Sequence, residues 1–197
     1  MAGHFEPIPG GGAAVALDEV EISILRSLAV QMLELIGPGD EPVEGEDPLA
    51  ALFAVGPSEP PADPALARLF PDAYAGPDAD ADDEELQALS SEFRRFTEKD
   101  LRSRKRDDAL TVVRGLDSLT VGDEGGAVLK VSADDCPHWL GALNDLRLTI
   151  GTRLDVSDDD ENGDLYRLPD SDPRKPMVMA YLWLGALQET LVDTLMS

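Results

Sequence analysis

The sequence predicts a mainly α, α+β domain: a helical bundle with a small antiparallel β-sheet formed by two short hairpins. Three observations carry that prediction. Four segments repeat apolar residues at helical spacing, and two glycine-rich turns each separate a pair of short apolar runs. The 197 residues are 43% apolar and 28% charged, which is globular composition rather than that of a disordered chain. We read 1–197 as a single domain, with a Pro/Gly/acid-rich insertion at 38–81 and an acidic loop at 155–172.

The elements follow in order. Phe5 to Ile8 and Ala13 to Leu17 flank Pro9-Gly10-Gly11-Gly12, a turn able to take positive φ, so they form the first hairpin. A helix then starts at Asp18, with Glu21 three residues on as capping-box partner and Leu17 stapling to Ile22. Ile22, Leu25, Leu28, Ala29, Met32, Leu33 and Ile36 make its apolar stripe, and Gly37 stops it.

Nine of the fifteen prolines fall between Gly37 and Asp80. Two pieces there, Asp47 to Phe53 and Asp63 to Phe70, place Asp at N-cap and Pro at N1, so each predicts a short helix. Leu52, Phe53, Leu66, Leu69 and Phe70 would lay them on the main body. A long helical pattern starts at Asp82 or Asp83, with Leu86, Leu89, Phe93 and Phe96 as its expected core stripe and a solvated middle from Thr97 to Asp108. Apolar residues return from Ala109 to Leu116, as one helix or as two broken near Asp107.

Leu119 to Val121 and Val128 to Val131 flank Gly122-Asp123-Glu124-Gly125-Gly126, the second predicted hairpin. Ser132 with Asp135 then caps a helix carrying Trp139, Leu140, Leu143, Leu146, Ile150 and Leu154. A last helix runs from about Pro176 to Met196, and its first half is apolar on every side, which predicts burial on most faces. Val15 to Gly37 and Leu129 to Gly151 echo each other at an offset of 114 residues: Leu17 matches Val131, Asp18 matches Ser132, Met32 matches Leu146 and Ile36 matches Ile150.

Charge is unevenly distributed. The net charge is −24, yet seven of the sixteen Lys and Arg residues lie between Arg94 and Arg106. They are Arg94, Arg95, Lys99, Arg102, Arg104, Lys105 and Arg106. Strong overall acidity opposes a general phosphate-backbone binder, so nucleic acid is not the expected partner. One cysteine excludes a disulfide within the sequence and suits a reducing compartment. No basic and apolar leader opens the sequence, and no uncharged apolar run reaches the roughly 20 residues of a membrane span, so a soluble cytoplasmic protein with no membrane partner is expected.

The basic segment has three readings. It is a solvated helix face paired at i,i+4 with its own acids, such as Glu98 with Arg102 and Arg104 with Asp108. It meets an acidic protein partner or the acidic surface of a second copy. Or it reads nucleic acid, for which no interleaved aromatic speaks.

No catalytic constellation stands out. Cys136 and His138 lie two residues apart, roughly 200° around a helix, and do not make a nucleophile–base pair by proximity. No Gly-rich phosphate loop or metal-spaced Cys/His set occurs, and no cofactor is implied. Asp158, Asp160 and Asn162 occupy the first, third and fifth places of a calcium loop, but its twelfth place is Pro169, so a solvated acidic loop fits better. Arg147, one turn from Leu143, is expected half-buried against an acid of another helix.

Four phrases together resemble a domain-of-unknown-function family of actinobacteria: Leu69 to Tyr74, Glu92 to Arg102, Trp139 to Leu148, and Tyr181 to Leu184. Insertions around Gly39 and Asp158 depart from a compact family core. The resemblance implies a small intracellular protein without established activity. Such proteins are often encoded near the Clp protease adaptor and a metalloprotease of the JAMM type, and some are described as transcriptional regulators. The expectation is therefore a non-catalytic cytoplasmic adaptor or regulator whose contact surface centres on Arg94 to Arg106. Reversal of Arg102, Arg104 and Arg106 would disrupt that surface and spare the fold. A DNA-binding regulator using the basic helix and a metal-dependent protein using the Asp158 loop are the alternatives.

Overall fold

Ala13, Val15 and Leu17 alternate with more exposed neighbours along β2 (Ala13–Asp18), so one face of this strand is buried and the other meets solvent. In the computed structural model, which describes residues 3–38, 56–74, 83–122, 125–156 and 164–196, β2 is the centre of a three-stranded antiparallel sheet of order β1-β2-β3. β1 (Glu6–Pro7) is its first-hairpin partner, and Gly10, Gly11 and Gly12, all near φ +90°, turn the chain between them. On the other side lies β3 (Gly126–Val131), with Val15 opposite Leu129 and Leu17 opposite Ala127.

The second predicted hairpin does not form. Leu119 to Val121 is not a strand; Gly122 and Gly125 close a turn instead, Gly122 N donating to the Gly126 carbonyl at 3.0 Å. Pairing with β2 sets Leu129 and Val131 beside Val15 and Leu17 in the core, which the short 119–121 run could not match.

Five α-helices are present among the described residues: α1 (Glu19–Ile36), α2 (Pro64–Leu69), α3 (Glu84–Asp117), α4 (Cys136–Arg153) and α5 (Lys175–Leu195). They cover one face of the sheet, giving the mainly helical α+β layer that the sequence predicts. α1 has the predicted capping box: Glu21 N donates to Asp18 Oδ1 at 2.8 Å and Asp18 N to Glu21 Oε2 at 2.9 Å. Asp63 caps α2 through the amides of Ala65 and Leu66, and Leu69 and Phe70 are buried against α4. The other short helix expected in the insertion, Asp47 to Phe53, lies outside the described residues. α4 begins at Cys136, which places Pro137 in its first turn. Trp139 is 2% exposed, edge-on to Phe5 and against Gly115 of α3.

Two expectations about buried faces are corrected. The 82–118 pattern is one continuous helix, but Leu89, Phe93 and Phe96 are 41%, 47% and 68% exposed rather than in the core. At that level Ser90, Arg94 and Glu98 face inward instead. On α5 only Val178 and Leu184 of the first half are buried, while Met177, Met179 and Leu182 are exposed, because α4 covers one side of it and the remaining apolar side is uncovered.

The glycine turn gives a comparative test. Gly10 and Gly12 share a positive φ, but a Cβ at Gly12 would run into the Val131 carbonyl, whereas one at Gly10 meets open space. Gly12→Ala should therefore destabilise by at least about 1 kcal/mol more than Gly10→Ala in urea unfolding, since only the first adds a steric clash to the shared backbone strain.

Candidate interaction surface

The seven cations of the basic segment fall on one helix, α3, and its geometry divides them. A helix turns 100° per residue, so Arg94, Glu98, Arg102 and Lys105 share a side, and that side faces the body. Arg94 is 4% exposed and Glu98 also 4%; the Arg94 Nη1 donates to Glu98 Oε2, and its Nη2 to Asp72 Oδ1 at 2.8 Å and to the Phe70 carbonyl at 3.0 Å. Glu98 Oε1 accepts from Arg102 Nη2 at 2.7 Å, the predicted i,i+4 pair. Arg102 in turn donates to the Ile36 carbonyl and lies 4.4 Å from the centre of the Phe70 ring. Arg106 donates to the Gly37 carbonyl, with Leu33 O at 3.4 Å.

These contacts are structural. The Ile36 carbonyl is orphaned at the C-terminal end of α1 and Gly37 follows it, while the Leu33 carbonyl already accepts from Gly37 N at 3.0 Å; Phe70 follows α2, and α1 has no basic residue in its own last turn. The guanidinium groups of α3 supply the donors and the positive charge that those ends favour. Arg94, Arg102 and Arg106 are thus committed internally. Reversing Arg102 and Arg106 would uncap α1, so that substitution cannot test a surface while sparing the fold. Sequence reasoning missed this role, although the signal was present: cations and one acid recur every three or four residues where apolar residues are missing.

The outer side of α3 is different. Arg95 and Arg104 are exposed, and Lys99 is half-buried. On the same line as Arg104 run Leu89, Phe93 and Phe96, with Tyr74 edge-on to Phe93 at 6.3 Å between ring centres and itself 44% exposed. Leu86, Leu89, Phe93 and Phe96 are spaced three, four and three apart, so they form one apolar stripe along α3. Arg104 thus flanks the exposed rings, whereas Arg95, seven residues before Arg102 and so nearly on its line, is exposed at the far edge of the helix.

A second polar cluster joins α3 to α4. Lys105 bonds Asp145 at 2.7 Å, and Asp108 bonds His138 Nδ1 at 2.6 Å rather than Arg104. Burial pushes the Asp145 carboxyl above its usual range and the Asp108 charge adds to this, with Lys105 opposing. Gly141 makes room for it: a Cβ there would stand 2.5 Å from Asp108 Oδ2. Cys136 is fully buried, which pushes its thiol up. Arg147 is half-buried as expected, but donates to the Gln188 amide at 2.6 Å and lies over Tyr181 instead of pairing with an acid. Asp158, Asp160 and Asn162 lie outside the described residues, and among the described residues no three His, Cys, Asp or Glu side chains converge on a metal site. Among them also, no helix is long and apolar enough to cross a membrane.

The chain belongs to the DUF2017 family, a domain of unknown function whose model matches residues 2–195. It is 33% identical over 182 residues to the oxidative stress regulator AosR of Mycobacterium tuberculosis (strain ATCC 25618 / H37Rv), covering 89% of this chain and 78% of that protein. The AosR of Mycobacterium bovis (strain ATCC BAA-935 / AF2122/97) is similar to the same extent, 33% over 182 residues with the same coverage. No solved structure matches the chain.

The two sides of α3 predict different responses to mutation. Arg94→Ala leaves the buried Glu98 with Arg102 as its remaining cation and strips the Phe70 carbonyl and Asp72 of their donor, so it should cost about 3 kcal/mol, while Arg95→Ala should stay within about 0.5 kcal/mol; chemical denaturation measures both. The raised Asp145 predicts a pH effect. Its native state binds a proton at pH values where the unfolded chain has released it, so this carboxyl weakens the fold as pH rises from the ordinary Asp range through its raised native value. Asp145→Asn should remove that decline, seen as a flatter profile of unfolding free energy against pH than the wild type gives.

Proposed function

We propose that this chain is a cytoplasmic regulator that acts by protein contact rather than by catalysis, and that the outer side of α3 is the surface it presents. The observation that carries the reading is the coincidence of exposed Phe93, Phe96 and Leu89 with exposed Arg95 and Arg104 on one helix. Aromatic and Arg side chains are the residues that anchor protein interfaces, and a partner with an acidic surface, or a second copy, would complement the cations. The curated relatives are named regulators, which agrees in kind. Arg94, Arg102 and Arg106 are engaged with backbone carbonyls or the buried Glu98, and Lys105 with the buried Asp145, which weakens the field available to phosphate groups.

The relatives' name raises the question of an oxidant response. This sequence holds a single cysteine, so a disulfide within it is impossible, and Cys136 is both buried and held as a thiol by its surroundings. Regulation through the α3 surface does not need that thiol.

Arg95→Glu/Arg104→Glu, which reverses two exposed charges and leaves the internal ladder alone, tests the reading. Affinity capture from native lysate should lose a specific protein that the wild type retains, at unchanged circular dichroism. Recovery of the same proteins by both versions would refute the surface, and salt-sensitive recovery of nucleic acid in place of protein would favour a DNA-binding regulator.

A further inference from the structure

The outer side of α3 is polarised along its length. Its first turns carry Asp83, Glu84, Glu85 and Glu92, all exposed, and the stretch beyond carries Arg95, Lys99 and Arg104. Between the two lies the apolar stripe Leu86, Leu89, Phe93 and Phe96, of which the last three are at least 41% exposed. A helix that is acidic at one end, basic at the other and apolar between is complementary to itself when reversed.

Resting on the reading of this surface given above, we propose that its partner is a second copy of the chain, seated so that the two α3 helices run antiparallel across a two-fold axis between Phe93 and Phe96. An isologous contact must match a patch with its own rotated copy, and that condition is restrictive. Here it is met. Phe93 of one helix packs beside Phe96 of the other, twice. One flank of the stripe is formed by Glu85, Glu92 and Lys99, each seven residues from the next, so the reversed register brings Glu92 of each copy opposite Lys99 of the other. Arg104 of each copy reaches the acidic first turn, Asp83 to Glu85, where a cation also meets the capping carboxylate. A parallel pairing would instead set acid on acid and base on base, which disfavours it.

The stripe is short, and Asp100 and Asp107 continue its line toward the C-terminal end of α3. The axis lies at the basic end of the stripe, so apolar contact is confined to the two Phe93–Phe96 pairs and the dimer is reversible rather than obligate. A regulator held in such an equilibrium exposes its aromatic patch only as the monomer. Self-association and capture of another protein then compete for the same rings.

Sedimentation of the purified full chain across micromolar concentrations tests the proposal. Wild type should shift from monomer to dimer with concentration, and Phe96→Glu should remain monomeric with unchanged circular dichroism and thermal unfolding. Glu92→Lys and Lys99→Glu should each weaken the dimer about fivefold or more, because each change sets two like-charged pairs across the axis, and the double variant should return close to the wild-type constant. A wild type that stays monomeric throughout, or a double variant no better than the singles, overturns the proposal. Failure here is distinct from failure of the protein-contact reading. A monomeric wild type that still loses its captured protein on Arg95→Glu/Arg104→Glu sinks the dimer alone. A dimer broken by the register variants, with unchanged capture in the exposed-arginine variant, keeps the dimer and discards the other partner.

Discussion

The arrangement of this protein depends on how α3 buries charge. Its central turns, from Arg94 to Asp108, offer only two large apolar side chains, of which Phe96 points outward and Leu101 alone is partly buried, and yet they lie against the ends of α1 and α2. Apolar burial cannot hold a helix there. The Arg94–Glu98–Arg102 ladder holds it instead, with its outward donors spent on the carbonyls of Ile36 and Phe70 and on Asp72. A buried ion pair alone is weak evidence of stability, because desolvation offsets the Coulomb attraction. These groups differ in that their remaining donors meet helix-end carbonyls that would otherwise be orphaned, so the polar cost of three elements is met by one network. The exception is Arg94 Nε, which is buried with no partner.

That inward commitment explains the outer side. A 34-residue helix has two usable sides, and placing charge on the inner one at Arg94 and Glu98 leaves Leu89, Phe93 and Phe96 outside. In most amphipathic helices the apolar side decides which way the helix faces. Here hydrogen-bond satisfaction at the termini of α1 and α2 decides it, and the displaced aromatic residues are left exposed. The C-terminal third of α3 returns to the usual rule: Ala109, Val112 and Leu116 pack inward, and Gly115 lets the Trp139 ring approach. One helix thus follows two packing rules, with the Asp108–His138 pair where they meet.

Much of the fold was legible because local rules and burial agree there. Asp18 and Glu21, Asp63 and Pro64, and the stripe from Leu25 to Ile36 each point to one structure, and each forms it. The misreadings occur where two rules compete. Val128 to Val131 had a local hairpin partner in Leu119 to Val121 and a distant one in β2, and the distant one wins because it buries more apolar surface, which spacing alone cannot weigh. Phe93 and Phe96 were assigned inward because apolar residues usually are. The identity of the carbonyls that Arg94 and Arg102 satisfy, 24 and 66 residues away, is not written in their neighbourhood. Of the basic segment, the structure commits Arg94, Arg102, Lys105 and Arg106 to internal contacts and leaves Arg95 and Arg104 exposed.

The repeat at an offset of 114 residues acquires a geometric meaning. β2 and β3 pair so that residue numbers of partners sum to a constant, with Val15 opposite Leu129, and those two residues are also each other's match in the repeat. Any antiparallel pair has a local two-fold axis, but matched positions need not coincide with paired ones. Here Val15 and Leu129 do, so the axis through that pair relates Leu17 of β2 to Val131 of β3. Leu17 and Val131, Met32 and Leu146, and Ile36 and Ile150 are all buried in one core. The starts differ: Asp18 is the N-cap of α1 with a full capping box, whereas the predicted Ser132 cap does not form, since Ser132 bonds the Asp135 amide before α4 begins and the N-cap Asp135 makes no side-chain cap bond. A second asymmetry lies in what each unit meets at its far end. α1 ends on Arg102 and Arg106, whereas α4 ends at Leu154 with the chain turning back through the Val156 amide to the Gly151 carbonyl. α3 is therefore the element that breaks the symmetry, capping one unit and not the other, and its outer side is left free of both.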